Sequence, residues 1–356
     1  MFIGDCETLA NGLYLSVDWI SFTIKESMSY LDVVSYFGLR MEDFQTGLNG
    51  RYGYKSRIQH SIVPIHILYD GNDDMGVHVD ISGSAVGYFL NAYKEKKTCE
   101  TTPFGGLSYS VESFDSTVLT DLLKDIMDKG QLTRLDLAVD DLGCRYYSLD
   151  ELTDIFNSGL YVSKFKKWKL NIEKCNGETT GHTIYLGSRT SEIMFRIYDK
   201  KLEQNSKSDC DTIDNPWVRW EIELHKDRAC AVALYLISGN NLSNAVIGIL
   251  ANYLRLIERD NERNSRCSTS DKWNDFICGI SKLSLYQRSP EKTLEEKKEW
   301  LIKQVAPTIS AIYRIDGDLS FIYDLIENGS SRISAELRHL IQNALEGVSY
   351  DVESCI

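Results

Sequence analysis

Up to about residue 225 the chain alternates short runs of period-two hydrophobicity with runs of helical period. YLSVDWISFTI (14–24), RYGYKSRI (51–58), SIVPIHILYD (61–70) and MGVHVDIS (75–82) are rich in β-branched and aromatic residues, and turn residues such as the GND at 71–73 separate them. These predict strands. Helical periodicity marks 28–38, 84–95 and 115–130, the last with an Asp/Ser start and a Gly130 stop. The order then recurs: a strand over 132–141, a helix over 148–159, strands in WKLNIEKC, HTIYLGS, EIMFRIYDK and WVRWEIELHK, and a helix from about Asp227. Two β-α-β-β-β-α units of similar length imply an α+β fold with a largely antiparallel sheet and an internal duplication. Beyond about 227 the periodicity is helical, with Pro290 suited to a first helical turn and the most flexible loop expected over 261–272. The division expected is therefore 1–228, strand-rich, and 229–356, an all-helical C-terminal domain.

Four of the strands place chemistry on one side and core on the other. In LTRLDLAVDD, Arg134, Asp136 and Asp140 share a side against Leu135, Leu137 and Val139. In WVRWEIELHK, Arg219, Glu221, Glu223 and His225 oppose Trp220, Ile222 and Leu224. His78, Asp80 and Ser82 oppose Val77, Val79 and Ile81, and in EIMFRIYDK Arg196, Tyr198 and Lys200 share a side. Alternating charge on any one antiparallel strand is an ordinary solvated face. Several carboxylates, three arginines, a lysine and a tyrosine on potentially one surface are less ordinary.

Composition narrows the class. Hydrophobic residues make up 43% and charged residues 26%, as in a globular domain. The start carries no cationic region ahead of an apolar run, and no stretch is long enough to span a membrane, so a cytoplasmic protein without membrane contact is expected. Nine scattered cysteines without a Cys-x-x-Cys pair suggest neither disulfides nor zinc. The net charge of −13 argues against a nucleic-acid partner, yet the charge is uneven. RYGYKSR (51–57) carries Arg51, Lys55 and Arg57 with two tyrosines and no acid, and the strands from 161 to 207 are locally basic. Such a face can bind a polyanion while the acidic remainder opposes non-specific contact; solvated strand edges would look the same.

Clustered carboxylates suit Mg²⁺ or Mn²⁺, hard cations that take oxygen ligands. Asp136, Asp140, Glu221 and Glu223 are the candidate ligands. The six histidines (60, 66, 78, 182, 225, 339) form no His-hydrophobic-His pair, which leaves a carboxylate-bound ion. Such an ion beside Tyr198 would polarise a phosphodiester for attack. Arg196, Lys200 and Arg189 would hold phosphate oxygens, and their positive field would help populate the phenolate.

LTRLDLAVDD, HTIYLGSRTSEIMFRIYDKKLEQ and WVRWEIELHKD, in that order, resemble the Rep_trans family, initiators of rolling-circle plasmid replication and related relaxases of integrative conjugative elements. MGVHVDISGSA is similar to the segment that precedes these motifs in the conjugative-element branch. The resemblance covers roughly residues 14–228 and makes that part the nicking domain. It implies Tyr198, in RIYDK, as the nucleophile, with Arg196 and Lys200 beside it and Tyr185 as competitor. The implied product is a 5′-phosphotyrosine link and a free 3′-OH at an origin. The implied partners are double-stranded origin DNA with a single-stranded or extruded nick site, a host UvrD-like helicase and, as for plasmid members, a second copy. Arg51, Lys55, Arg57, Arg134, Arg189 and Arg219 are the candidate DNA contacts, and the C-terminal helices would recognise the origin or meet the helicase. Two other readings stand beside this one: a non-catalytic origin-binding regulator, and a carboxylate-metal hydrolase in which Tyr198 is structural.

Overall fold

The computed structural model describes residues 7–101, 115–206, 213–285, 297–299, 301–333, 337, 338 and 341. It divides into two compact units, Met1–Gln287 and Arg288–Ile356.

The first unit opens with β1 (Glu7–Thr8) and β2 (Tyr14–Ile24), followed by α1 (Tyr30–Tyr36), β3 (Phe44–Asn49), β4 (Ser56–His60), β5 (Ile65–Tyr69), β6 (Val77–Ser82) and α2 (Ala85–Thr101). After α3 (Ser116–Lys129), the second half runs through β7 (Gly130–Leu142), α4 (Leu149–Asn157), β8 (Tyr161–Ser163), β9 (Trp168–Cys175), β10 (Glu178–Gly187), β11 (Ile193–Asp199), α5 (Lys200–Asn205), β12 (Trp217–His225) and α6 (Lys226–Ile237). Helix starts follow local chemistry. Ser29 and Asp32 form a reciprocal capping box at α1, and Asp115 and Ser148 accept from backbone N–H groups at α3 and α4.

Eleven strands form one sheet in the order β3-β4-β5-β6-β2-β7-β12-β11-β10-β9, with β1 beside β2, and the pairings are antiparallel. From the central β2–β7 pair outward, both halves lay down their strands in the same order, which is the duplication the sequence suggests. The register makes it specific. Ile20 pairs with Leu135, and the flanking pairs Trp19–Asp136 and Ser21–Arg134 exchange under a two-fold through that point. Ser21 thus occupies the place of Asp136, Asp80 that of Glu223 and His78 that of Glu221. Both β6 and β12 turn into helices through a residue of positive φ, Gly83 (φ 55) and Lys226 (φ 47). Lys226 holds a conformation that glycine adopts without strain.

One sheet face is apolar and covered by helices. Ile20, Phe22, Leu135, Leu137, Val139, Trp220, Ile222 and Leu224 are fully buried there with Leu119, Leu122, Leu123 and Ile126 of α3. The expected boundary at 228 fails for this reason: α6 and α7 (Leu242–Tyr253) carry small and aliphatic side chains into the same core. After β13 (Leu254–Leu256), which pairs with β8, α8 (Asp271–Phe276) packs Trp273 and Phe276 on Trp220. At Gly248 a Cβ would meet Leu283 Cβ at 2.8 Å, so the segment after α8 lies directly on the helix.

Two local expectations change. The strand expected over 51–58 begins at Ser56, because residues 50–55 form a hairpin turn closed by Gly50 N–H to Lys55 O at 2.9 Å. Its partner β3 (FQTGLN) is too polar and glycine-interrupted to show as a strand in the sequence. The loop over 261–272 is tied down: Arg255 donates to Cys267 O and Thr269 Oγ1, and Cys267 is buried.

In the second unit a π-helical turn over Leu301–Val305 leads to α9 (Ala306–Asp316), with Pro307 in its first turn, and α10 (Ser320–Ser330). The helix start at Pro290 and most of the C-terminal stretch over 334–347, where helical periodicity continues, lie outside the described residues. Among the described residues no helix is long and apolar enough to cross a membrane.

Candidate active site on the polar face of the sheet

The opposite face of the sheet carries the charge. Antiparallel register sets the rows: Asp136 of β7 lies opposite Glu223 of β12, Glu221 opposite Arg196 of β11, and Tyr198 opposite Arg219, which in turn faces Asp140. Tyr198 is the last residue but one of β11. Asp199 then caps α5 by accepting from Leu202 N–H at 2.8 Å, which ends the strand and sets Lys200 at the first helical position.

Glu221 is 1% exposed, and its Oε2 accepts from Arg196 Nη2 at 2.7 Å and from the Tyr198 hydroxyl at 3.1 Å. Arg134 donates to both oxygens of Asp136 (Nε–Oδ1 2.9 Å, Nη2–Oδ2 2.6 Å), reaches Glu223 Oε2 at 3.2 Å, and lies 4.0 Å over the Trp19 ring. His225 Nε2 meets Glu223 Oε1 at 2.8 Å. The ligand oxygens of Asp136, Glu221 and Glu223 lie within 4.8 Å of one another, so this trio could hold a metal ion. In the N-terminal half the equivalent positions are Ser21, His78 and Asp80, which retain one carboxylate of three. Asp80 Oδ1 accepts there from Trp19 Nε1 and Ser21 Oγ, outside the trio.

Asp140 does not join the trio. It is fully buried and chelated by Arg219 (Nε–Oδ1 2.7 Å, Nη2–Oδ2 2.8 Å), with Trp217 Nε1 at 2.6 Å. Arg219, expected on DNA, is 7% exposed and also donates to Asp18. Its donors are spent inside the sheet. Arg134 is likewise engaged by carboxylates, though partly exposed, whereas Arg51, Lys55 and Arg189 are exposed and Arg57 is half-buried. Tyr185 faces Arg196 across the β10–β11 pair, on the same polar side as Tyr198.

Burial sets the proton affinities. It holds Asp136 well above the usual carboxylate range against the opposing charge of Arg134, with Glu221 and Glu223 adding to the rise. Burial also raises Glu221, against Arg196. Burial pushes Glu223 upward too, but its His225 hydrogen bond and Arg134 outweigh this and leave it below its ordinary value. Tyr198 runs opposite to the expectation: burial, then Glu221, raises its phenol well above the usual value. Of the cations meant to lower it, Arg196 is paired with Glu221 and Lys200 with Glu203 at 2.5 Å. Lys200 is depressed by burial and by Arg219, and its Nζ lies 3.4 Å from the Tyr198 hydroxyl. Tyr198 is also only 5% exposed, lying beneath Arg196, whose guanidinium is 4.8 Å from the ring centre. Its hydroxyl meets Glu221, while the ring is closed off from solvent in the free protein.

Sequence reasoning missed Asp18 and Trp19. Strict alternation would set Asp18 beside Ile20 in the core. A one-residue irregularity between Val17 and Trp19 brings Asp18 to Arg219 and Trp19 to Asp80 on the polar side.

The sheet is duplicated and antiparallel, and its polar face carries an acidic trio, arginines and a tyrosine. The replication initiation factor model Rep_trans matches residues 130–326, and the model for the N-terminal domain of rolling-circle replication initiation proteins matches 14–104. The chain belongs to the Rep_trans family. It is 29% identical over 286 residues to the Bacillus subtilis (strain 168) protein NicK, named as a candidate DNA relaxase, covering 78% of this chain and 75% of NicK. It is 28% identical over 188 residues to a replication initiation protein of Staphylococcus aureus, covering 51% and 55% of the two chains. The structure of a rolling-circle replication initiator from Geobacillus stearothermophilus superposes with a TM-score of 0.61 at 26% identity, covering 78% of this chain and all of that one.

Proposed function

We propose that the protein nicks one strand of an origin and conserves the bond as a 5′-phosphotyrosine on Tyr198, the one phenol among the described residues whose hydroxyl hydrogen-bonds the acidic trio. The phenolic oxygen forms the new O–P bond as the bond from phosphorus to the 3′-oxygen breaks. The phenol proton passes to Glu221, and the leaving 3′-oxygen takes up a proton to become the 3′-OH. A phenol with a raised pKa needs an acceptor at hand, and Glu221, itself more basic than a solvated carboxylate, is one. Arg196 covers the ring in the free protein, and its buried Nε meets no acceptor among the described residues. Arrival of a phosphate gives Arg196 and Lys200 a better anion than their present partners, and their turning outward uncovers Tyr198. The strand must be unpaired to bring a phosphate this close to the sheet, which suits a single-stranded or extruded nick site in double-stranded origin DNA. A labelled origin oligonucleotide should form a covalent adduct that mass spectrometry locates on Tyr198; an ester on Tyr185, or cleavage without an ester, overturns this assignment.

Asp136, Glu221 and Glu223 fit Mg²⁺ or Mn²⁺ by donor chemistry, three hard oxygens gathered in one place, with Arg134 and Arg196 supplying the compensating charge in the free protein. Such an ion would supply charge neutralisation at the scissile phosphate. Asp136 and Glu221 are raised above their unfolded values, so their contribution to stability is fully present below the usual carboxylate range and is lost as pH rises through the folded values. A divalent ion competes with those protons and relieves that loss. Millimolar Mn²⁺ should therefore raise the thermal midpoint more at pH 8 than at pH 5, and a shift of equal size at both would remove the buried pair from the ion site.

In this reading the 3′-OH primes replication or transfer from a plasmid or an integrative conjugative element in a bacterial cytoplasm, with a UvrD-like helicase unwinding ahead. A second copy supplies the dimer known for plasmid initiators, and the C-terminal unit recognises the origin or meets the helicase.

A further inference from the structure

A second group of unpaired nitrogens lies in the N-terminal half, on β4 and β5, three to four strand spacings or roughly 14–19 Å from Asp136. Gln59 lies opposite His66 and Arg57 opposite Leu68, so Arg57 and His66 are diagonal neighbours on adjacent strands of the polar face. Arg57 Nε and Nη1 and His66 Nδ1 are buried, and no acceptor meets them among the described residues. Buried donors of this kind are costly unless something pairs with them. Asp80 faces His66 in register, but its Oδ1 is taken by Trp19 and Ser21. Burial, together with the charge of Arg57 and against that of Asp80, holds His66 below its ordinary value.

The hairpin before β4 adds an aromatic. Tyr52 is 71% exposed, and its ring stands edge-on over His78 at 6.2 Å, with Tyr54 stacked on the same imidazole. The turn is fixed: at Gly50 a Cβ would meet Tyr54 O at 2.0 Å, and Tyr52 itself is held at φ 56, an uncommon conformation for a tyrosine. An exposed ring on the same polar face as an unpaired guanidinium is the pairing that single-stranded nucleic acid uses, base on ring and phosphate on cation.

We infer that this face holds the single strand leading away from the nick site, with a backbone phosphate on Arg57 and His66 and a base on Tyr52. The nicking proposal supplies the identity of the strand; the donor geometry is independent of it. The N-terminal half, which has lost two of the three carboxylates, thus serves as a strand guide for the half that keeps them.

The test uses the full chain carrying Tyr198→Phe and a labelled single-stranded oligonucleotide of mixed sequence. Adding Arg57→Met should weaken binding about tenfold and lower the salt slope of log K by about 0.7, one phosphate contact on a single strand. Tyr52→Ala should weaken binding several-fold with the slope unchanged. The thermal midpoint of Arg57→Met should be unchanged or higher, because the buried Nε and Nη1 that it removes have no partner among the described residues. Unchanged affinity and slope, a lowered midpoint, or a loss seen only with duplex DNA overturns the inference. If the wild type fails to nick while Arg57→Met still weakens single-strand binding, the nicking proposal falls and the guide stands; nicking with unaltered binding gives the reverse.

Discussion

Tyr198→Phe is expected to abolish covalent attachment and to lower origin nicking by about four orders of magnitude or more, the scale on which removal of a nucleophile acts. The substitution deletes one oxygen from a site whose other pairs, Arg196–Glu221 and Arg134–Asp136, remain. Stability should change by only about 1 kcal/mol, and DNA binding should persist. Gel assays with a labelled origin strand, beside a binding titration, separate the readings. Cleavage retained at the wild-type rate supports a metal hydrolase with a structural tyrosine. Absence of cleavage in the wild type supports a binding regulator.

Arg219→Ala should act on folding. The sequence sets Arg219 on DNA, but its guanidinium is locked between Asp140, which is fully buried, and Asp18. Removing one member of a buried ion pair strands the other, at a cost of about 3–5 kcal/mol. For a unit of this size that corresponds to a thermal midpoint lower by roughly 10 °C. Arg189→Ala, at an exposed position, should leave the midpoint unchanged. A well-folded Arg219→Ala protein with weakened DNA binding would reverse the assignment and return Arg219 to the interface.

The contrast between these two residues shows where the sequence is informative. Period-two alternation places Arg134, Asp136, Arg196, Tyr198, Arg219, Glu221 and Glu223 on one side of their strands, and the sheet confirms that side for each through its register. Alternation gives no information on which neighbour a side chain faces across a strand pair. Asp140 and Asp136 look alike in LTRLDLAVDD, yet one meets Arg219 and the other meets Glu223. Likewise the charge count around Tyr198 suggested a lowered pKa, whereas burial, the Glu221 charge and the pairing of those cations produce the opposite. The boundary near 228 was misplaced because helical periodicity records that α6 and α7 are amphipathic or apolar, not which core receives them.

The sequence by itself determined the α+β class, the duplicated strand order, the family and the polar side of each strand, since these depend on local periodicity and short motifs. Only the tertiary structure decided that Asp136, Glu221 and Glu223 converge, that Asp140 and Arg219 neutralise one another, and that Asp18 and Trp19 join the polar face. Those outcomes depend on cross-strand register, on one irregularity in β2 and on desolvation, all of which arise when distant segments pair.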